Sequence, residues 1–91
     1  MSTFMPHAEH HEDIDILYVY LGDAEIARTI EVDVNRNVDI AADDSVVGVE
    51  FVGASTGINL GRIPMPETIV ELVIPLKERF ETVAGRRSPV R

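Results

Sequence analysis

The chain reads as a small α+β domain, an antiparallel four-stranded β-meander with one C-terminal helix packed on one face. Three observations carry that reading. Between Ile14 and Val52 the apolar residues alternate with polar ones in short runs separated by turn residues. After Pro66 the spacing changes, and Ile69, Leu72, Val73, Leu76 and Phe80 fall on one side of a helix. At 91 residues the chain has room for one domain, and that helix is the available cover for a sheet face.

Residues 1–13 carry no periodicity and are expected to be a disordered tail, with the domain spanning 14–85 and a second tail at 86–91. The first strand runs from Ile14 to Leu21 and stops at Gly22-Asp23. It puts Leu17, Val19 and Leu21 on one face and Ile16, Tyr18 and Tyr20 on the other, so both faces are apolar and the strand is central or covered twice. The second, Thr29 to Val34, turns Ile30, Val32 and Val34 inward and Thr29, Glu31 and Asp33 outward. Asn35-Arg36-Asn37 reads as a turn.

A third strand, Val38 to Ala41, keeps Val38 and Ile40 inward and Asp39 outward, and Asp43-Asp44-Ser45 turns the chain again. The fourth, Val46 to Val52, sets Val47, Val49 and Phe51 on one face. Short connections make a meander the economical order. The sheet's share of the core is therefore Leu17, Val19, Ile30, Val32, Ile40, Val49 and Phe51.

Residues 54–66 contain Gly57, Gly61, Pro64 and Pro66 and form an irregular connector. Pro66 suits the first helical position and Gly85 the residue past the end. Pro75 interrupts that span, giving a kink or a division into two short helices. Thr68-Ile69-Val70 also fits a strand, so helix and strand both stand open for Thr68 to Ile74.

Composition excludes several functions. Without cysteine there is no disulfide scaffold, thiolate zinc site or cysteine nucleophile. The longest apolar run is six residues, Ile16 to Leu21, against roughly 18 for a membrane span. The N-terminus has histidines and acids where a signal peptide needs a basic patch and an apolar core, so a cytoplasmic location is expected. The net charge is −8, unevenly placed: −10 through Gly61 and +2 from Arg62 onward. Such a surface repels nucleic acid and anionic membranes and attracts basic partners.

Chemistry-bearing residues gather in two places. His7, His10 and His11, with Glu9, Glu12 and Asp13 between and beside them, are the weak metal candidates. A leader of thirteen residues supplies little rigid frame, and Asp15 stands where a zincin's second histidine belongs. The outward carboxylates Glu31, Asp33, Asp39 and Glu50 read as a solvated face. Gly57 to Arg62 has the wrong spacing for a phosphate loop, and Ser55 lacks a base in the core. No catalytic constellation is visible, so an enzyme is not expected and no cofactor is implied.

The pieces Asp15-Ile16-Leu17-Tyr18-Val19-Tyr20-Leu21, Arg28 to Asp33, Val38-Asp39-Ile40 and Val46 to Ser55 together resemble a small bacterial and archaeal family, domain of unknown function 2283. Its members read Asp-Ala-Leu-Tyr-Ile, then a short acidic strand, then Val-Val-Gly-Ile-Glu-Ile before Ala-Ser. The resemblance covers about Asp13 to Ser55. It departs where the family's opening Tyr-Asp gives way to the histidine-rich stretch, and where Asp44 replaces a turn glycine, a position that costs a non-glycine residue some strain. The resemblance implies a compact β-rich domain without an established activity. Some relatives are similar to a small acidic protein encoded beside a basic, toxin-like one.

The functional expectation is a non-enzymatic protein-interaction module, homodimeric, resembling an antitoxin-like inhibitor of a basic protein partner. Its interaction surface would comprise Tyr18, Tyr20, Glu31, Asp33, Asp39, Ile63 and Met65. The dimer is argued from apolar residues left without a core position: Ile14 and Ile16 with the tyrosines, and Ile58, Leu60, Ile63 and Met65 in the connector. In the competing account the connector folds back over the tyrosine face. The alternative function is a small-ligand or metal-binding protein using the tail histidines or the sheet carboxylates.

Overall fold

The structure is a computed structural model and describes residues 3–76 and 80–83. Its strands are β1 (His7–His11), β2 (Ile16–Tyr20), β3 (Ile26–Asp33), β4 (Arg36–Ala41) and β5 (Val46–Val52). A 3₁₀ turn at Ala54–Thr56, β6 (Ile58–Asn59), the helix α1 (Pro66–Val73) and β7 (Thr82–Val83) follow. The class is α+β, with five antiparallel strands in the main sheet in the order β1-β2-β5-β4-β3.

Two expectations are corrected by that order. The sheet has five strands instead of four, because His7–His11, placed in a disordered tail, pairs antiparallel with β2 from His7↔Tyr20 to His11↔Ile16. β2 is apolar on both faces and takes an interior position, and β1 covers its free edge while burying Ala8. The second correction is topological: β2 pairs with β5, not with the next strand in sequence. The charged strand β3 goes to the far edge, where its polar side chains stay hydrated.

The core lies on one side of the sheet. Ala8, Leu17, Val19, Val38, Ile40, Val49 and Phe51 meet Ala54, Ile58 and Ile63 of the connector and Ile69 and Val73 of α1. Ile30 was expected there but is 46% exposed, since β3 lies beyond the reach of the covering segments, and Val34 sits in the β3–β4 turn at 83%. Val32 packs only partly against the core. A register shift opposite Asp39 and Ile40 inserts an extra residue between Val46 and Gly48. Val46 therefore leans on the core, whereas Val47 is buried outside that cluster, unlike its expected partners Val49 and Phe51.

Residues 66–73 are helical, which decides between helix and strand for that stretch, and Pro66 holds the first helical position. The helix ends at Val73, so Pro75 follows it and produces no kink; a proline at 75 is incompatible with the interior of a continuing helix. Gly85 and the tail 86–91 lie outside the described residues. Arg36 is a β4 residue, and the turn before it is Val34-Asn35. Asp44 adopts φ 73°, the left-handed conformation expected to cost a non-glycine residue some strain at that turn.

The connector neither covers the tyrosines nor remains spare. Ile58 and Ile63 are in the core, which removes them from the apolar surface on which the dimer was argued. Ile63, expected on an interaction surface, is 5% exposed because it packs beneath the sheet with Phe51 and Ile69. Among the described residues no helix is long and apolar enough to cross a membrane.

Candidate interaction face

The side of the sheet opposite the core carries most of the candidate side chains, and the strand register lines them up. One cross-strand row is Glu9, Tyr18, Glu50, Asn37 and Glu31. The neighbouring row is His7, Tyr20, Gly48, Asp39 and Thr29. Period-two alternation puts each row on one face, and pairing brings residues from distant parts of the chain within side-chain reach.

Gly48 is the hinge of this geometry. The Tyr18 ring leans from its own row across Gly48, where a Cβ would overlap the phenol ring and hydroxyl. The Tyr18 hydroxyl donates to Asp39 Oδ2 at 2.5 Å, and Thr29 Oγ1 donates to Asp39 Oδ1 at 2.5 Å. Burial, reinforced by the hydrogen bond to Asp39, raises the Tyr18 phenol well above its ordinary value, so it remains a proton donor. Tyr20 meets Tyr18 edge-on at 4.6 Å and stacks on His7 at 4.6 Å. Burial and then the charge of Glu9 raise its phenol too.

Asn37 Nδ2 donates to Glu50 Oε1 at 2.7 Å, while Glu9 lies between His7 at 3.2 Å and His11 at 3.6 Å. Where the β2–β3 loop crosses the end of the sheet, Tyr18, Tyr20, Ala24, Ile26, Asp39 and Val47 line an open hollow of about 400 Å³. Its floor is apolar, and Asp39 supplies its charge. No lysine or arginine stands in either row.

The expected site residues separate in three dimensions. Tyr18, Tyr20, Asp39 and Glu31 share the open face, but Asp33 faces the other way and grips Arg36 at 2.8 Å. Met65 is the N-terminal cap of α1, on the core side of the sheet. The three histidines also divide, because alternation puts His7 and His11 on the open face and His10 beneath the sheet against Phe80 at 4.9 Å. Among the described residues no group of three or more histidines and carboxylates is placed to hold a metal ion.

A serine, a histidine and an aspartate do meet at the end of β2. His10 Nε2 lies 2.9 Å from Asp15 Oδ1, and Ser55 Oγ donates to Asp15 Oδ2 at 2.6 Å. The carboxylate stands between the other two, so the serine proton goes to Asp15 and not to the imidazole. A nucleophilic triad needs the histidine in the middle. Here the group closes the turn after β5: the Asp15 carbonyl also accepts from Gly53 N at 2.8 Å, and Ser55, then His10, lower the Asp15 pKa.

Two residues escaped the sequence reading. Arg36, 5% exposed, donates to Asp33 and to the carbonyls of Asn59 and Gly61, fastening the connector to β4. Thr29, which orients Asp39, carries no signal beyond its place in an alternating strand.

The sequence model of the family described as Protein of unknown function (DUF2283) matches residues 9–55, just over half of the chain. The chain belongs to the DUF2283 family. No curated protein and no solved structure matches it. The DUF2283 segment includes the second half of β1, all of β2 to β5, and the Asp15–Ser55 closure, hence nearly the whole open face. The connector, α1 and β7 lie outside it.

Proposed function

We propose that this DUF2283 chain is a non-enzymatic protein-interaction module that binds a basic protein through the open face of its sheet. One observation carries the reading: the two rows bring Glu9, Glu31, Asp39 and Glu50 together around Tyr18 and Tyr20, with no lysine or arginine among them. Carboxylates of one sign steer an oppositely charged partner, and half-buried aromatics supply contact area at small entropic cost. A partner whose own activity needs its basic surface is inhibited when that surface is masked, as an antitoxin-like protein would do. Calorimetry with a hexalysine peptide tests this. Binding that weakens in about 0.5 M salt and in Glu9→Gln/Glu50→Gln, with none for hexaglutamate, supports the module. Equal binding of hexalysine by wild type and the double variant overturns it.

Homodimer formation belongs to the same proposal but through a different surface. β3 is an edge strand whose Ile30 stays exposed, and it ends beside the exposed Val34. An unpaired edge with apolar side chains is a template for a second copy.

A further inference from the structure

We propose that the hollow at the end of the open face is the specificity pocket of this module and takes one cationic side chain, lysine or arginine, from the basic partner. The inference rests on the interaction reading above and adds to it a place and a chemistry. The open hollow of about 400 Å³ lined by Tyr18, Tyr20, Ala24, Ile26, Asp39 and Val47 lies within the roughly 300–1,000 Å³ of ligand sites. Ala24, Ile26 and Val47 match the aliphatic stem of a lysine or arginine, which stays apolar up to its charged head. Tyr18 and Tyr20 offer π-electrons to the head group, an attraction that grows as water is excluded.

Asp39 provides the counter-charge and is already oriented. A carboxylate has about four acceptor sites, and the hydroxyls of Tyr18 and Thr29 occupy one on each oxygen. Sites on both oxygens remain for an ammonium or guanidinium, and the two hydroxyls hold the group so that little freedom is lost on binding. Glu9 and Glu50, one row away, attract the approaching segment without entering the hollow. An apolar side chain of the partner would satisfy the walls and leave Asp39 desolvated without a cation, which opposes it.

The test is the affinity of hexalysine and hexa-arginine for wild type, Ala24→Leu and Asp39→Asn. Ala24 is exposed, so leucine there fills the hollow without altering the charge or the core. Asparagine keeps an oxygen for the Tyr18 hydroxyl and removes the charge. Each variant is expected to weaken at least one peptide about tenfold, with the melting temperature of Ala24→Leu unchanged. A shift of the Tyr18 and Tyr20 ring proton resonances on titrating the wild type is expected alongside. If both peptides bind the two variants as tightly as wild type while Glu9→Gln/Glu50→Gln still weakens them, the hollow is refuted and the acidic face stands. If neither peptide binds wild type, both readings fall.

Discussion

Tyr18 and Gly48 share one space: the tyrosine ring lies where any Cβ at position 48 would project. The sheet thereby gives up one side chain in β5 so that a phenol from β2 can reach a carboxylate on β4. The pairing makes Gly48 part of the open face as surely as the residues whose side chains form it.

Gly48→Ala displaces the Tyr18 ring, breaks its bond to Asp39 and strains the face. The expected cost is about 1–3 kcal/mol from overpacking, read by thermal or urea unfolding. In a Tyr18→Ala background the same substitution should cost well under half as much, since the clash is gone. Equal costs in the two backgrounds would mean that the ring is not what excludes a side chain at 48.

Phe51 is 2% exposed at the centre of the core, between β2 and β4 and under the connector. Phe51→Ala should destabilise the domain by about 3–5 kcal/mol, a large part of what so small a domain has. A variant that melts within about two degrees of wild type would place Phe51 outside the core, contrary to its burial.

Acid should weaken the closure at Asp15. Its folded-state pKa lies below the ordinary carboxylate value because of Ser55 first and His10 second. A depressed pKa contributes stability above the unfolded value, and that contribution is lost as pH falls through the folded value. The melting temperature should therefore drop as pH falls below about 4, and Asp15→Asn should flatten that slope. Asp33 and Asp43 are lowered as well, by Arg36 and Ser45 respectively, so some slope persists in the variant. An unchanged slope in Asp15→Asn would show that this carboxylate is not held by its partners.

The exposed β3 edge bears on self-association. Light scattering at micromolar concentration should give about 20 kDa, twice the 10.1 kDa of one chain. Ile30→Lys should return the mass to that of one chain by charging the edge. A mass of one chain for wild type contradicts the dimer.

Much of the sheet was legible because alternation is a strong signal where one face is buried. Leu17, Val19, Ile40, Val49 and Phe51 all lie in the core where the period-two pattern puts them. β1 was hidden because His7-Ala-Glu-His-His11 has one apolar residue; its pairing is imposed by β2, whose two apolar faces need an interior place. Strand order was hidden for a related reason, since alternation assigns faces and says nothing of which strand lies beside which. The exchange of Val46 for Val47 comes from one bulged residue, invisible to a regular period. Of the face itself, Tyr18, Tyr20, Asp39 and Glu31 were readable as outward-facing residues. Their arrangement around Gly48 depends on the register, and so does the separation of the histidines.

The central claim is that the open face of the sheet receives a basic partner. Amide chemical-shift mapping during a hexalysine titration tests it most directly. The largest shifts should fall on residues 7–11, 16–20, 37–39 and 47–50, while those of 66–73 on the core side stay small. Shifts centred on the helix, or spread evenly over the chain, would contradict the account.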